Sequence, residues 1–242
     1  MNQSSINMAA NHGDEHIVQL ERLTKVYQQG KVQVHAVNDV SLDVRKCDFA
    51  ALCGPSGSGK TSLLNLIGGL DVPTSGKVWV DGIDLASLGR TALSDIRKSR
   101  IGFVFQAYNL IPVMTAFENA EFVLNLQGVD ENECRERVMQ TLKAVGLEGL
   151  EHRRPDEMSG GQQQRVAIAR AIVTEPAIVL ADEPTANVDS HTAEALLEMM
   201  QRLNEDRGIT FLFSTHDQHV MDRARRIINV HDGQIESDKI KH

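Results

Sequence analysis

The 242-residue chain has no uninterrupted run of 18 apolar residues, so nothing in it reads as a bilayer-spanning helix. Cysteine is scarce: Cys47, Cys53 and Cys134 cannot all pair within the chain, and none has the C-x-x-C spacing of a zinc or redox site, which fits a reducing compartment. An excess of positive charge is also missing. Lys and Arg total 25 against 33 Asp and Glu, and the net charge of −8 would repel a phosphate backbone, so no nucleic-acid partner is expected. Met1 to Glu15 is polar and mildly acidic, with neither the basic nor the apolar stretch of a cleaved secretion signal. There is no repeat of fixed period and no low-complexity tract, and residues 1–16 alone read as a disordered segment. What remains, 41% hydrophobic and 24% charged residues, is a globular composition long enough for one large domain over residues 17–242.

Two kinds of strand pattern alternate with helices. Ile17, Val18 and Leu20, then Val32, Val34, Ala36, Val40, Leu42 and Val44, recur at period two and predict antiparallel sheet with one wet face. Val78 and Val80 resume the pattern and lead into Asp81-Gly82, a hairpin signal. Four other runs, Phe49 to Cys53, Ile101 to Phe105, Ala177 to Ala181 and Ile209 to Phe213, are almost continuously apolar, as strands buried on both faces are. Helical spacing follows the first at Leu63, Leu64, Ile67 and Leu70, and precedes the fourth at Leu196, Leu197, Met199, Met200 and Leu203. Strand alternating with helix predicts an α/β fold with a parallel sheet core and an antiparallel side sheet. Residues 107–176 read mainly as helix, with a capping box at Thr115 and Glu118 and a helix through Val138, Leu142 and Val145 that stops at Gly146, and are expected to form an α-helical subdomain inserted in the sheet domain.

The chemistry sits where the buried runs end. The first runs into Gly54-Pro55-Ser56-Gly57-Ser58-Gly59-Lys60-Thr61, a G-x-x-x-x-G-K-S/T loop between strand and helix. Its glycines let successive amides turn inward around an anion, with the positive end of the next helix aimed at the same place. Lys60 adds a mobile positive charge for the β and γ phosphates, and the Thr61 hydroxyl suits magnesium. The third run ends in Asp182-Glu183: Asp182 suits magnesium, and Glu183 suits the acceptance of a proton from an attacking water. The second ends at Gln106 and the fourth leads through Ser214 and Thr215 to His216, so four strand ends are expected to share one edge. A second glycine element, Ser159-Gly160-Gly161-Gln162, opens another helix and offers a further anion cradle, which predicts two composite pockets in a two-fold dimer.

With these residues in hand, the chain from about Ile17 to Glu236 resembles the nucleotide-binding subunit of an ATP-binding cassette (ABC) transporter. Gly54 to Thr61 is similar to the Walker A motif, Ile178 to Asp182 to Walker B, Gln106 to the Q-loop and His216 to the switch histidine. Met158 to Gln162 resembles the family signature with Met158 for the usual Leu. Ala186 to Asp189 resembles the D-loop with Val188 for Leu. The resemblance implies a P-loop NTPase-type fold in which ATP contacts Gly54 to Ser62, Tyr27 stacks on adenine, and Thr61, Gln106 and Asp182 hold Mg2+. It further implies that Ser159, Gly160, Gly161, Gln162 and Asp189 serve the nucleotide of a second copy.

Gly68 to Gly76, Asn109 to Pro112 and Asp182 to Thr185 with Asn187 are similar to the branch that serves lipoprotein release, macrolide efflux and the cell-division complex. That resemblance implies a bacterial ATPase at the cytoplasmic face of the inner membrane, working through an integral membrane permease that would dock near Gln106, Tyr108 and the helix after Thr115, where apolar groups such as Leu110 and Ile111 are expected to be exposed and to need a cover. Two alternatives stay open: an ATP-gated scaffold subunit of a cell-division complex, and a soluble ABC ATPase acting on DNA or ribosomes. Bland readings cover the rest. Arg223, Arg225 and Arg226 read as a solvated face, and Cys53 as a small core residue whose thiol could make the activity sensitive to alkylation.

Overall fold

The computed structural model describes residues 15–241. Most of the expected N-terminal segment lies outside the described residues, but its last member, His16, already stands in a strand opposite Arg45. Chain order runs β1 (His16–Gln29), β2 (Val32–Arg45), β3 (Phe49–Cys53), α1 (Lys60–Ile67), β4 (Ser75–Val80), β5 (Ile83–Asp84), α2 (Arg90–Arg100) and β6 (Ile101–Val104). Then follow α3 (Ala116–Gln127), α4 (Glu131–Ala144), α5 (Gly160–Ile172), β7 (Ile178–Asp182), α6 (Ser190–Arg207), β8 (Thr210–Thr215), α7 (Gln218–Arg223), β9 (Arg226–His231) and β10 (Gln234–Ile240).

An antiparallel sheet β2-β1-β4-β5 lies beside a six-stranded sheet β10-β9-β3-β8-β7-β6. In the second sheet β9, β3, β8, β7 and β6 are parallel, and only β10 is antiparallel to its neighbour. The apolar runs are continuous because each face of this sheet has its own core. Phe49, Ala51 and Cys53 point to a core shared with α3, α4, α5 and α6, together with Phe211 and Phe213. Ala50 and Leu52 point to a core shared with α1, β1, β2 and β4. Three helices, α3 to α5, join the adjacent parallel strands β6 and β7, with α5 packed between α3 and β6. The Thr115–Glu118 capping box closes at 3.2 and 2.7 Å at the start of α3, and α4 ends just before a left-handed Gly146.

Several expectations change. Helix α1 stops at Ile67 and the chain turns at Gly68-Gly69, so Leu70 is exposed rather than core. In β2 the period-two pattern holds for Val40, Leu42 and Val44, whereas Val32 and Val34 are exposed, Ala36 is half-buried and Val37 is buried. Asp39 has φ +53, and the β1–β2 register shifts between Leu23–Val40 and Lys25–Val37 across it, so the alternation of buried positions changes phase there. The β9–β10 hairpin had no counterpart in the sequence reading, although its Asp232-Gly233 turn is of the same kind as Asp81-Gly82.

Of the three arginines read as a solvated face, Arg225 is exposed and Arg223 half-buried, but Arg226 is not solvated. Arg226 is only 9% exposed and donates to Asp48 at 2.8 Å and to both carboxylate oxygens of Asp238 at 2.9 and 2.7 Å. Arg223 pairs with Glu194, and Arg225 bonds Asn204. Cys53 is 1% exposed, and burial pushes its thiol up to about 11, so it is protonated and shielded in the native chain and alkylation sensitivity is not expected there. Replacing Arg226 with alanine leaves two carboxylates facing each other without their cation. The expected cost is about 3 kcal/mol, read as a lower urea midpoint at unchanged slope.

Candidate active site

Strand β3 is flanked by β9 and β8, and at its carboxyl end the chain enters the glycine loop. Gly59 has φ +102, and a Cβ there would stand 2.1 Å from the Ala36 carbonyl oxygen, so only glycine lets the loop pass this close to β2. Lys60 follows, 6% exposed, and its ammonium donates to the carbonyl oxygens of Gly54 (2.7 Å) and Pro55 (2.9 Å). Two of its three donors are thereby used, and the charge is held over the loop. The first turn of α1 has neither a side-chain cap nor an acidic residue. Its amides therefore offer their positive end to whatever occupies the cleft in front of them. Ser58 Oγ, buried in the same loop, has no hydrogen-bond partner among the described residues.

The acids meet this loop from the neighbouring strands. Asp182 ends β7, and its carboxylate accepts from the Thr61 hydroxyl at 3.0 and 3.1 Å and from the Ser214 hydroxyl at 2.5 Å. Glu183 has φ +46, a left-handed conformation that costs a non-glycine residue about 1–2 kcal/mol. Its N–H donates to Ser214 Oγ at 3.1 Å, and its carboxylate accepts from His216 Nδ1 at 2.8 Å. When Glu183 is ionised, as a proton acceptor must be, its carboxylate can only accept, and the bond then requires the proton on Nδ1. Thr61, Asp182, Ser214, Glu183 and His216 thus form one continuous hydrogen-bonded set across α1, β7 and β8.

A cleft of about 500 Å³ lies in front of them, lined by Ser56, Gly57, Ser58, Gly59, Lys60, Thr61, Ser62 and Glu183. Its other wall is Val34, His35, Ala36 and Asp232, which the sequence reading missed. For Asp232 the Asp232-Gly233 turn dipeptide was the available signal; for Val34, His35 and Ala36 there was none. Tyr27 pairs with Val34 in the β1–β2 register, and its hydroxyl donates to Asp71 at 2.7 Å. Burial and the Asp71 carboxylate beside it raise that phenol's pKa. Gln106 is exposed just past β6, and its carbonyl oxygen accepts from the Asn187 side chain at 2.7 Å.

The second glycine element stands apart from this cleft. Ser159 caps α5 in a capping box with Gln162, at 3.3 and 2.9 Å, and the amides of Gly160 and Gly161 have no hydrogen-bond partner among the described residues. Both glycines also pack closely: a Cβ would come 2.9 Å from the Tyr108 hydroxyl at Gly160 and 2.2 Å from Thr192 Cγ2 at Gly161. Asp189 caps α6, accepting from the amide (3.0 Å) and hydroxyl (2.7 Å) of Thr192, and these bonds hold its carboxyl below the usual range.

Among known proteins, the ABC transporter family matches residues 37–186. The uncharacterized ABC transporter ATP-binding protein MJ0796 of Methanocaldococcus jannaschii is 42% identical over 92% of this chain and 97% of its own. The lipoprotein-releasing system ATP-binding protein LolD of Bordetella pertussis is 41% identical over 91% of this chain and 96% of its own. The macrolide export ATP-binding/permease protein MacB of Mannheimia succiniciproducens is 42% identical over 93% of this chain, which spans 35% of MacB. A solved dimeric structure of a post-hydrolysis state of MJ0796 bound to ADP and Pi is similar with a TM-score of 0.86 at 42% identity, covering 93% of this chain and 99% of that one.

The packing of Gly161 is testable. Overlap with Thr192 costs G161A about 1–3 kcal/mol, more than the roughly 1 kcal/mol that alanine gains over glycine in a helix. The variant is expected to unfold at lower temperature. Adding Thr192→Ser, which keeps the hydroxyl on Asp189 and removes Cγ2, is expected to restore most of the midpoint in a thermal melt.

Proposed function

Since the chain belongs to the ABC transporter ATP-binding family and is an ATPase of the LolD/MacB-like branch, we propose that two copies close around ATP and drive an integral membrane permease from the cytoplasmic face of a bacterial inner membrane. The observation that carries this reading is the separation of the two anion cradles. The loop Gly54–Thr61 lines the cleft with Glu183, while the open amides of Gly160 and Gly161 lie outside it. In a two-fold pair the second cradle of each copy meets the cleft of the other. The solved dimers of MJ0796 support such a pairing.

Within each cleft the uncapped start of α1 and Lys60 bind the phosphates, and Glu183 takes the proton of the water that attacks the γ phosphorus as the bond to the ADP oxygen breaks. His216 keeps the Glu183 carboxylate oriented through its Nδ1–H. The Thr61 hydroxyl and Asp182 carboxylate are hard oxygen donors 3.0 Å apart, with Gln106 at the same sheet edge, and they are the residues that would hold Mg2+. Among the described residues no cluster of three or more acidic, His or Cys side chains could hold a metal ion alone. Bound at Thr61 and Asp182, Mg2+ would supply positive charge to offset the negative charge developing on the phosphate. Tyr27 and Asp189 are proposed to meet adenine and the partner's nucleotide, respectively, as in the family.

The permease is proposed to dock in an apolar groove of about 330 Å³ between the sheet edge and α3, floored by Phe103, Phe105, Phe122 and Leu126 and bordered by Arg97, Lys98 and Arg170. Leu70, Phe122 and Leu126 are its exposed apolar groups, whereas Leu110 is half-buried against the chain's own core. Lipoproteins, lipids, drugs or peptides are the proposed substrates of the whole complex.

Replacing Glu183 with Gln is expected to lower kcat by roughly 10²-fold or more while ATP still binds; turnover at the wild-type rate would sink its role as base. For the isolated chain, turnover per copy is expected to rise with protein concentration. A constant rate on dilution, with a monomer by light scattering, would rule out the composite site.

A further inference from the structure

Ser214 lies on β8, fully buried, directly opposite Asp182 in the β7–β8 register. Its hydroxyl makes two bonds of opposite sense: it donates to Asp182 Oδ1 at 2.5 Å and accepts from the Glu183 N–H at 3.1 Å. A serine has one proton to give, and here it goes to a carboxylate while a lone pair holds the next residue's amide. The strand around it, Thr-Phe-Leu-Phe, is buried throughout, so a bare hydroxyl at this place would be costly and only these bonds offset its burial.

We propose that Ser214 is a positioning residue that sets the two acids of the site relative to one another. It fixes the Asp182 carboxylate toward Thr61, and hence toward Mg2+, and it pins Glu183 in the left-handed turn that brings its side chain to the cleft and to His216. Thr61 is the other donor to Asp182, and its hydroxyl is the one a cation would draw away. Ser214 then remains to hold the carboxylate. The inference rests on the Mg–ATP reading of the cleft and adds to it a side chain that itself touches neither metal nor nucleotide.

The full chain, Ser214→Ala and Ser214→Cys are to be compared by titrating a non-hydrolysable ATP analogue in EDTA and in Mg2+, and by turnover across Mg2+ concentration. In S214A, affinity in EDTA is expected to stay within about twofold of wild type while affinity in Mg2+ falls roughly tenfold, the scale of a lost hydrogen bond to a charged group. The Mg2+ needed for half-maximal turnover is expected to rise by the same factor. S214C, with a weaker thiol donor, is expected to fall between. Circular dichroism melts establish which variants fold, and S214C carries the comparison if S214A does not. Unchanged Mg2+ dependence in a folded variant overturns the inference, and so does an equal loss of affinity with and without Mg2+, the mark of a structural defect. A wild-type chain whose analogue affinity gains nothing from Mg2+ overturns the reading of the cleft together with this inference, which tells the two failures apart.

Discussion

A parallel strand buried on both faces can carry polar side chains only where it ends, and this constraint organises the whole molecule. Strands β3, β6, β7 and β8 are apolar along their length because α3 to α6 cover one face and α1 with the antiparallel sheet cover the other. Their hydrophilic residues are therefore displaced to the carboxyl ends, which the parallel direction brings to a single edge. Lys60, Thr61, Asp182, Glu183 and His216 are neighbours for that reason, although more than a hundred residues separate some of them in the chain.

The same packing supplies the precision that the chemistry needs. Glu183 occupies a left-handed conformation that would relax if nothing opposed it, and Asp182 could swing freely at a strand end. The neighbouring strand opposes both through one serine hydroxyl. On the other side, β2 and the β9–β10 turn press on the glycine loop: the Gly233 amide donates to the Ser58 carbonyl at 2.9 Å, and Asn38 donates to the Gly233 carbonyl at 2.8 Å. The loop is thus held between two strand systems, and its amides stay oriented without a side-chain cap of their own.

Beyond the cleft, the segment after Glu183 ties the site to the helices. Gln164, fully buried in α5, donates to the Pro184 carbonyl at 2.7 Å, and the Tyr108 hydroxyl donates to the Asn187 carbonyl at 3.0 Å while lying against Gly160. Arg170, at the border of the apolar groove, donates to the carbonyls of Tyr108 and Asn109 at 2.9 and 2.6 Å. Groove, second glycine element and catalytic edge are therefore connected by short polar contacts, so that a partner seated in the groove would press on backbone already bonded to the site.

The sequence by itself determined the buried strands, the glycine loop and the acids that follow β7, because period and loop chemistry are local: each is readable within about ten consecutive residues. It also determined the family, since an ordered set of such local motifs is specific. What only the tertiary structure decided depends on distant partners. Arg226 looks solvated in sequence because the two carboxylates that bury it come from residues 48 and 238. Ser214 looks like any polar residue in a strand until register sets it against Asp182. Val34 belongs to the part of β2 before the register shift at Asp39, which no periodicity announces, and there it lines the second wall of the cleft. Local pattern specifies which elements form, and the long-range packing of those elements specifies which side chains meet.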